Sequence, residues 1–341
     1  MLIETFDTIW SELEIKAATS SLDKILTRRI LKDSAFDFHL GIRMPERLRV
    51  LLIRVPRENV INPSLLPVSK GFEVRQTVLQ EDYGHHATIQ LTLNDYNYKD
   101  IFSRLAEDVI SVSSCESSDK AMIHTFFKRL KMWQHFLERH GTEGLDPEGQ
   151  RGLYGELRFI QDFFIPEIGI GAIPYGWTGP KKKHRDFQVG GVAIEVKTSI
   201  AKQHQKITIA NEIQLDDTGL DALYLYYLSL SEHQGAGMTL PELVEKIRSK
   251  ISEERIIADE FEVLLIEAGY LDEHRDKYES IGYTDRTIHI FNVKEGFPRI
   301  ISRDLNDGLG DIRYSVSLSA CIPFEIMEKH FREEISRCKD E

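Results

Sequence analysis

Ile3, Phe6, Ile9, Trp10 and Leu13 recur at helical spacing, and the pattern predicts helix over residues 1–32. Four runs then change to a period of two: FDFHLGIR (36–43), RLRVLLIRV (47–55), GFEVRQTVL (71–79) and HHATIQLTL (85–93). Each mixes β-branched residues with alternating polarity, and turns containing Pro or Gly separate them, so four strands are expected. Helical spacing returns over 97–113 and 118–140, with Gly141 where a helix ends. Strands grouped before helices predict an α+β N-terminal part, a small antiparallel sheet plus helices. The turn-rich TEGLDPEG (142–149) sets the boundary, giving expected domains of 1–145 and 146–341.

The second half opens on a well-signalled helix. Asp146 can cap it, Pro147 suits its first turn, and Ile165-Pro166 predicts its end. Leu153, Leu157, Ile160 and Phe164 form one apolar stripe, and Glu156 lies beside or inside that face. On this helix alone, a glutamate at the stripe's edge reaching to water is the simpler reading.

Further on, KKKHRDFQVGGVAIEVKTS (181–199) contains Gly190-Gly191, a two-residue hairpin signal because glycine supplies the positive φ such turns need. Counting outwards pairs Val189 with Val192, Gln188 with Ala193, Phe187 with Ile194 and Asp186 with Glu195. Phe187, Val189, Val192, Ile194 and Val196 then share an apolar face, and Asp186, Gln188, Ala193, Glu195 and Lys197 share the other. Asp186 and Glu195 would stand with Cβ atoms ~4.5–5.5 Å apart. Facing carboxylates repel, and a divalent cation between them removes the penalty. Lys197, on the same face, can stabilise charge on a phosphate or position a water. An acid-x-Lys triplet alone says little, since Glu14-Ile15-Lys16 is another. Helix glutamate, hairpin aspartate, glutamate and lysine in that order are rarer.

Charge changes the picture next. The chain of 341 residues carries a formal −12, yet residues 181–206 hold seven Lys/Arg against two acids, a local +5. Global acidity excludes a protein that coats nucleic acid over most of its surface and leaves room for a local cleft. Beside acids that need a cation, Lys181, Lys182, Lys183 and Arg185 read as a phosphate track rather than only a solvated loop. No apolar run approaches a bilayer span; the longest, LDALYLYYLSLS, is about a strand and a half. The N-terminus has acids early and no signal-peptide layout, and Cys115, Cys321 and Cys338 lie far apart without metal-ligand spacing. These features predict a cytoplasmic chain with no membrane partner.

Glu156, Asp186 and Glu195-Val196-Lys197 together resemble the PD-(D/E)XK phosphodiesterase superfamily, the restriction-endonuclease-like fold. The continuation is similar as well: EVKTS, the short strand Ile207-Thr208-Ile209, ANEIQL, and the tyrosine-rich strand Leu223–Leu228. More narrowly, the length, the late FPRI (297–300) and the closing strand resemble a bacterial family known by its PD-(D/E)XK motif and often encoded in restriction-like gene clusters. The resemblance covers roughly 146–330 and brings no function for 1–140. One departure is that no proline precedes Asp186, which follows His184-Arg185. The resemblance implies an α/β domain with a mixed central sheet flanked by helices. It implies Mg²⁺, with Mn²⁺ as a substitute, held by Asp186, Glu195 and the backbone carbonyl of Val196. Glu156 would complete the metal shell directly or through water, and Lys197 would orient the attacking water. The expected activity is endonucleolytic cleavage of DNA, double-stranded in the first instance, within a restriction or phage-defence system whose other proteins are expected partners. An oligomer is compatible with this.

Two other readings stay open: a catalytically weak nuclease-fold subunit that binds or scaffolds, and an interaction module whose basic loop takes acidic protein. Gln214 in NEIQL can touch substrate or support packing. Arg47, Arg49 and Arg54, with Lys128, Arg129 and Lys131, can grip a duplex or a partner, a solvated face being the simpler reading.

Overall fold

The computed structural model describes residues 5–19, 25–78, 85–181, 183–203 and 205–340. The chain divides into two compact units, 1–143 and 144–341.

In the first unit, helix α1 (Phe6–Ala18) starts at Thr5, whose side chain accepts from the Thr8 N–H. Five strands follow: β1 (Ile25–Ile30), β2 (Asp37–Arg43), β3 (Leu48–Pro56), β4 (Phe72–Val78) and β5 (His86–Leu93). They form an all-antiparallel sheet in the order β1-β2-β3-β5-β4. Helices α2 (Lys99–Ser113) and α3 (Asp119–His140) complete the unit, and Gly141 ends α3 with a φ of +55°. The four runs with a two-residue period are β2 to β5.

The helix predicted over 1–32 is corrected. It ends at Ala18, and Ile25–Ile30 is a strand paired with β2 from Ile25↔Arg43 to Ile30↔Phe38; Ile3 lies outside the described residues. Ile25, Thr27 and Ile30 are β-branched, and β2 offers an edge for them to pair with, so tertiary pairing decides.

Two of the N-terminal cations belong to the interior. Arg49 is 2 % exposed and bonds Asp7 (2.7 Å) and Glu14 (2.9 Å), with its guanidinium over the Trp10 ring. Arg129 holds Asp108 through two bonds of 2.6 and 2.5 Å, and Asp108 also accepts from Trp133 Nε1 at 2.7 Å. Both are fold-holding pairs. Arg47, Lys128 and Lys131 are exposed.

In the second unit, helix α4 (Pro147–Phe159) is capped by Asp146, which accepts from the Gly149 N–H at 2.7 Å. Leu153, Leu157, Ile160 and Phe164 are all buried. The end expected at Ile165-Pro166 holds to within a residue: the helix widens into a π turn over Ile160–Phe164 and ends at Glu167. Pro166 has no N–H for a carbonyl one turn back, and Arg332 Nη1 donates to the Asp162 carbonyl instead, at 3.0 Å.

The central sheet has the order β10-β11-β9-β7-β6, from β6 (Phe187–Val189), β7 (Val192–Ser199), β9 (Ala222–Gln234), β10 (Met238–Thr239) and β11 (Ile281–Asn292). β7 and β9 run parallel and the other neighbours antiparallel, so the sheet is mixed. Strands β8 (Lys206–Ile209) and β12 (Tyr314–Ser317) form a separate pair. Tyr224, Tyr226 and Leu228 of β9 enter one core with α4 and the helices Leu240–Ile251 and Arg255–Glu267. Leu223, Leu225 and Tyr227 enter a second core with β8 and β12. Coverage on both faces explains the near-continuous apolar run of β9. Among the described residues, no helix is long and apolar enough to cross a membrane.

Arg49→Ala removes a buried guanidinium with its charged hydrogen bonds to Asp7 and Glu14, so it is expected to lower the unfolding free energy by about 2 kcal/mol, read by urea denaturation. A gripping surface arginine would leave the unfolding midpoint where it is.

Candidate active site

The hairpin that presents the site forms in the expected register for three pairs, Phe187↔Ile194, Gln188↔Ala193 and Val189↔Val192. Gly190 takes a φ of +54°, and a Cβ on Gly191 would strike the Asp221 carboxylate. The fourth pair is corrected. The ladder stops at Phe187, and the Asp186 carbonyl accepts from the N–H groups of Thr178 (2.7 Å) and Gly179 (2.9 Å). That turn leaves the edge of β7 open beside Val196, and the Asp186 side chain fills it: Oδ2 accepts from the Val196 N–H at 2.8 Å. Along a strand, a residue's N–H and C=O leave by the same edge, so the Val196 carbonyl points past the end of β6 as well.

Glu156 is half-buried and turned toward Trp177. Its Oε2 accepts from Trp177 Nε1 at 2.6 Å, and Trp177 is buried. A Cβ on Gly179 would lie 2.8 Å from that same oxygen and 3.0 Å from Asp186 Oδ1. Two carboxylates from distant segments thus close on one backbone point, which only glycine leaves free. Nothing in the sequence marks Trp177 as a partner, and the Gly-Pro pair at 179–180 signals a turn without saying what it serves.

Glu195 is the unusual member. The face it shares with Ala193 is covered by the second core, and Glu195 itself is 0 % exposed. Lys197 Nζ lies 2.7 Å from Oε1, an ion-pair approach, yet neither Glu195 oxygen accepts a well-directed hydrogen bond from the described residues. Lys197, with its side chain 20 % exposed, also donates to Gln214 Oε1 at 3.2 Å, which in turn accepts from the Ala210 N–H at 2.8 Å. Gln214 is therefore brought to the site, with its carbonyl oxygen already engaged.

Burial pushes the Glu195 carboxyl up to about 8, the charge of Asp186 adds to this, and Lys197 opposes it. Glu156 is held well above the usual carboxylate range by burial and then by Asp186, against the Trp177 bond. Asp186 is raised by burial, with Lys197 and the Val196 N–H opposing. For Lys197, burial acts downward, but the charges of Glu195 and Asp186 outweigh it and the amine is held above its ordinary value.

The basic stretch divides. Lys181 and Lys183 are exposed, with Lys181 Nζ 2.5 Å from the Pro174 carbonyl. Lys182 lies outside the described residues. Arg185 is half-buried and donates through Nη2 to the Asp216 carbonyl, so it is committed to the protein itself.

This helix glutamate, aspartate, Glu-Val-Lys constellation coincides with a sequence match. A sequence model of the family described as "Putative PD-(D/E)XK family member (DUF4420)" covers residues 6–319. The chain belongs to this family. The match takes in residues of both units, so the first unit is part of the family's pattern rather than an appendage. Comparison with curated proteins and with solved structures finds no match. A PD-(D/E)XK family is nuclease-like, and the acids and lysine of the second unit are the residue types such a fold displays. Among the described residues, no three His, Cys, Asp or Glu side chains are disposed to hold an ion between them.

Because folding raises the proton affinity of Glu195, the native chain binds that proton more tightly than the unfolded one. The stability so contributed is present in mild acid and is lost as pH climbs towards about 8. Urea unfolding in metal-free buffer should show stability falling over that window, and Glu195→Gln should flatten the fall. A variant with the wild-type pH profile would mean that Glu195 titrates normally.

Proposed function

We propose that the chain is a metal-dependent endonuclease that hydrolyses phosphodiester bonds of DNA, acting in the cytoplasm as a component of a bacterial restriction or phage-defence system. One observation carries this reading: a fully buried glutamate with no directed hydrogen bond, beside a second acid and a single lysine. Lys197 compensates Glu195 in part, from 2.7 Å, but one lysine cannot neutralise two or three acids, and buried charge left without a partner costs several kcal/mol. The donor set fits a hard divalent ion, since it consists of oxygen atoms.

Asp186, Glu195 and the Val196 carbonyl would hold Mg²⁺ or Mn²⁺, with Glu156 reaching it directly or through a water. When bound, the ion supplies positive charge at the phosphate and makes its water more acidic. Lys197, steadied by Glu195 and Gln214, puts its amine where negative charge grows on the phosphate and can orient the attacking water. Glu156, with its raised proton affinity, can receive a proton at its carboxylate. Lys181 and Lys183 grip phosphates without reading sequence. Partners within the gene cluster and self-association are compatible with this role.

The absence of a three-acid cage among the described residues favours a second reading, a nuclease-fold subunit that binds DNA and cuts weakly. A panel of modified and unmodified plasmids, incubated with Mg²⁺ or with EDTA, separates the two. Cleavage is expected only with metal. Asp186→Asn and Lys197→Ala should each lower the rate at saturating DNA by roughly 10²-fold or more, with little change in affinity. Replacing Lys181 and Lys183 with alanine should instead weaken binding and reduce its salt slope by about one unit per lost contact. DNA binding without cleavage under every condition would support the subunit reading, and wild-type cutting by Asp186→Asn would contradict the site.

A further inference from the structure

The loop that carries Gln214 has no strand of its own to fix it. It begins after β8 with an Asn211 turn, in which Asn211 Oδ1 accepts from the N–H groups of Ile213 (3.0 Å) and Gln214 (3.2 Å). Three consecutive residues beyond Gln214 are then taken by arginines from two distant segments. Arg299 Nη1 donates to the Leu215 carbonyl at 2.6 Å, and its Nη2 donates to Asp217 Oδ2 at 2.9 Å. Arg185 Nη2 donates to the carbonyl of Asp216, between them. Arg299 belongs to the FPRI stretch and its side chain is only 5 % exposed.

Burying a guanidinium this far is costly unless its donors meet acceptors, and here one fork spans a main-chain carbonyl and a carboxylate two residues apart. The acceptors adjoin the residue that holds the Lys197 amine. With Gln214 in place, the amine lies between two oxygens, Glu195 Oε1 and Gln214 Oε1. Without it, only the Glu195 contact would remain, and the amine would lose the second restraint that fixes its direction and would swing more freely toward solvent.

We infer that Arg299 is a positioning residue: with Arg185 it clamps Leu215–Asp217 and so holds Gln214 against Lys197. The inference rests on the reading of Lys197 as the residue that acts on phosphate, and it reassigns Arg185 from DNA grip to loop support. Lysine cannot replace Arg299, since a single ammonium does not span both acceptors in the same plane.

The test uses the full chain with Arg299→Lys, Gln214→Ala and the double variant, each first checked for folding by thermal melting. Labelling of the Lys197 amine by an acylating reagent, mapped by mass spectrometry, reports the lysine without any activity. Arg299→Lys and Gln214→Ala should each raise its labelling rate by about fivefold to tenfold, and the double variant should match the singles. In plasmid cleavage both should lower kcat by about tenfold with KM unchanged, again without further loss in the double variant. Multiplicative effects in the double variant, or unchanged labelling and turnover with only a lower melting temperature, would make Arg299 a plain structural residue and overturn the inference. If the wild type cuts no DNA, the nuclease reading falls, while the labelling rates still decide whether the clamp positions Lys197.

Discussion

Burying a carboxylate without a directed hydrogen bond is the constraint around which the second unit is arranged. Glu195 sits at the middle of β7, a strand covered on both faces, and its side chain is screened from bulk solvent. Lys197 offsets part of its charge from two residues along the strand. The charge of Asp186 works against that relief, raising the proton affinity of both Glu195 and Glu156. A fold selected for stability alone would place an apolar residue at position 195, where neighbouring Ala193 and Ile194 are equally buried. Glu156 and Asp186 close on Gly179, and Glu195 and Lys197 follow on β7, so the acids and the lysine are gathered at a position where packing alone gives no reason for them.

The backbone devices serve the same arrangement. Stopping β6 at Phe187 frees the edge of β7, and the Asp186 side chain then uses the N–H that a longer strand would have used. Gly179 lets the Glu156 and Asp186 carboxylates close on one point. Among the described residues, Trp177 supplies the one directed bond to Glu156, which is half-buried. The acids are therefore positioned by packing and main-chain contacts, and their repulsion is left uncancelled.

Much of this was legible in the chain. The diglycine turn set the hairpin register, the two-residue period marked β2 to β5, and Asp146-Pro147 marked the start of α4. What failed had identifiable causes. Asp186 leaves the ladder for Thr178 and Gly179, and the residues around that turn carry no strand pattern. Ile25–Ile30 pairs with β2 because an edge was available, which local spacing does not encode. The cations were the least legible, since a charge in the sequence names no partner. Arg49 and Arg129 proved to be interior pairs, and Arg185 spends its guanidinium on a loop carbonyl. Lys181 and Lys183, the exposed pair, are what remains of the expected phosphate track among the described residues.

If the acids around Gly179 form a cation site, a divalent ion must bind the native chain and not the unfolded one, so the folded state gains stability by mass action. Thermal melting in metal-free buffer, with and without about 100 Kd of Mn²⁺ or Mg²⁺, should raise the wild-type midpoint by several degrees, corresponding to roughly 2.7 kcal/mol. Asp186→Asn should show no such shift. Equal midpoints for the wild type with and without metal, or an undiminished shift in Asp186→Asn, would contradict the account.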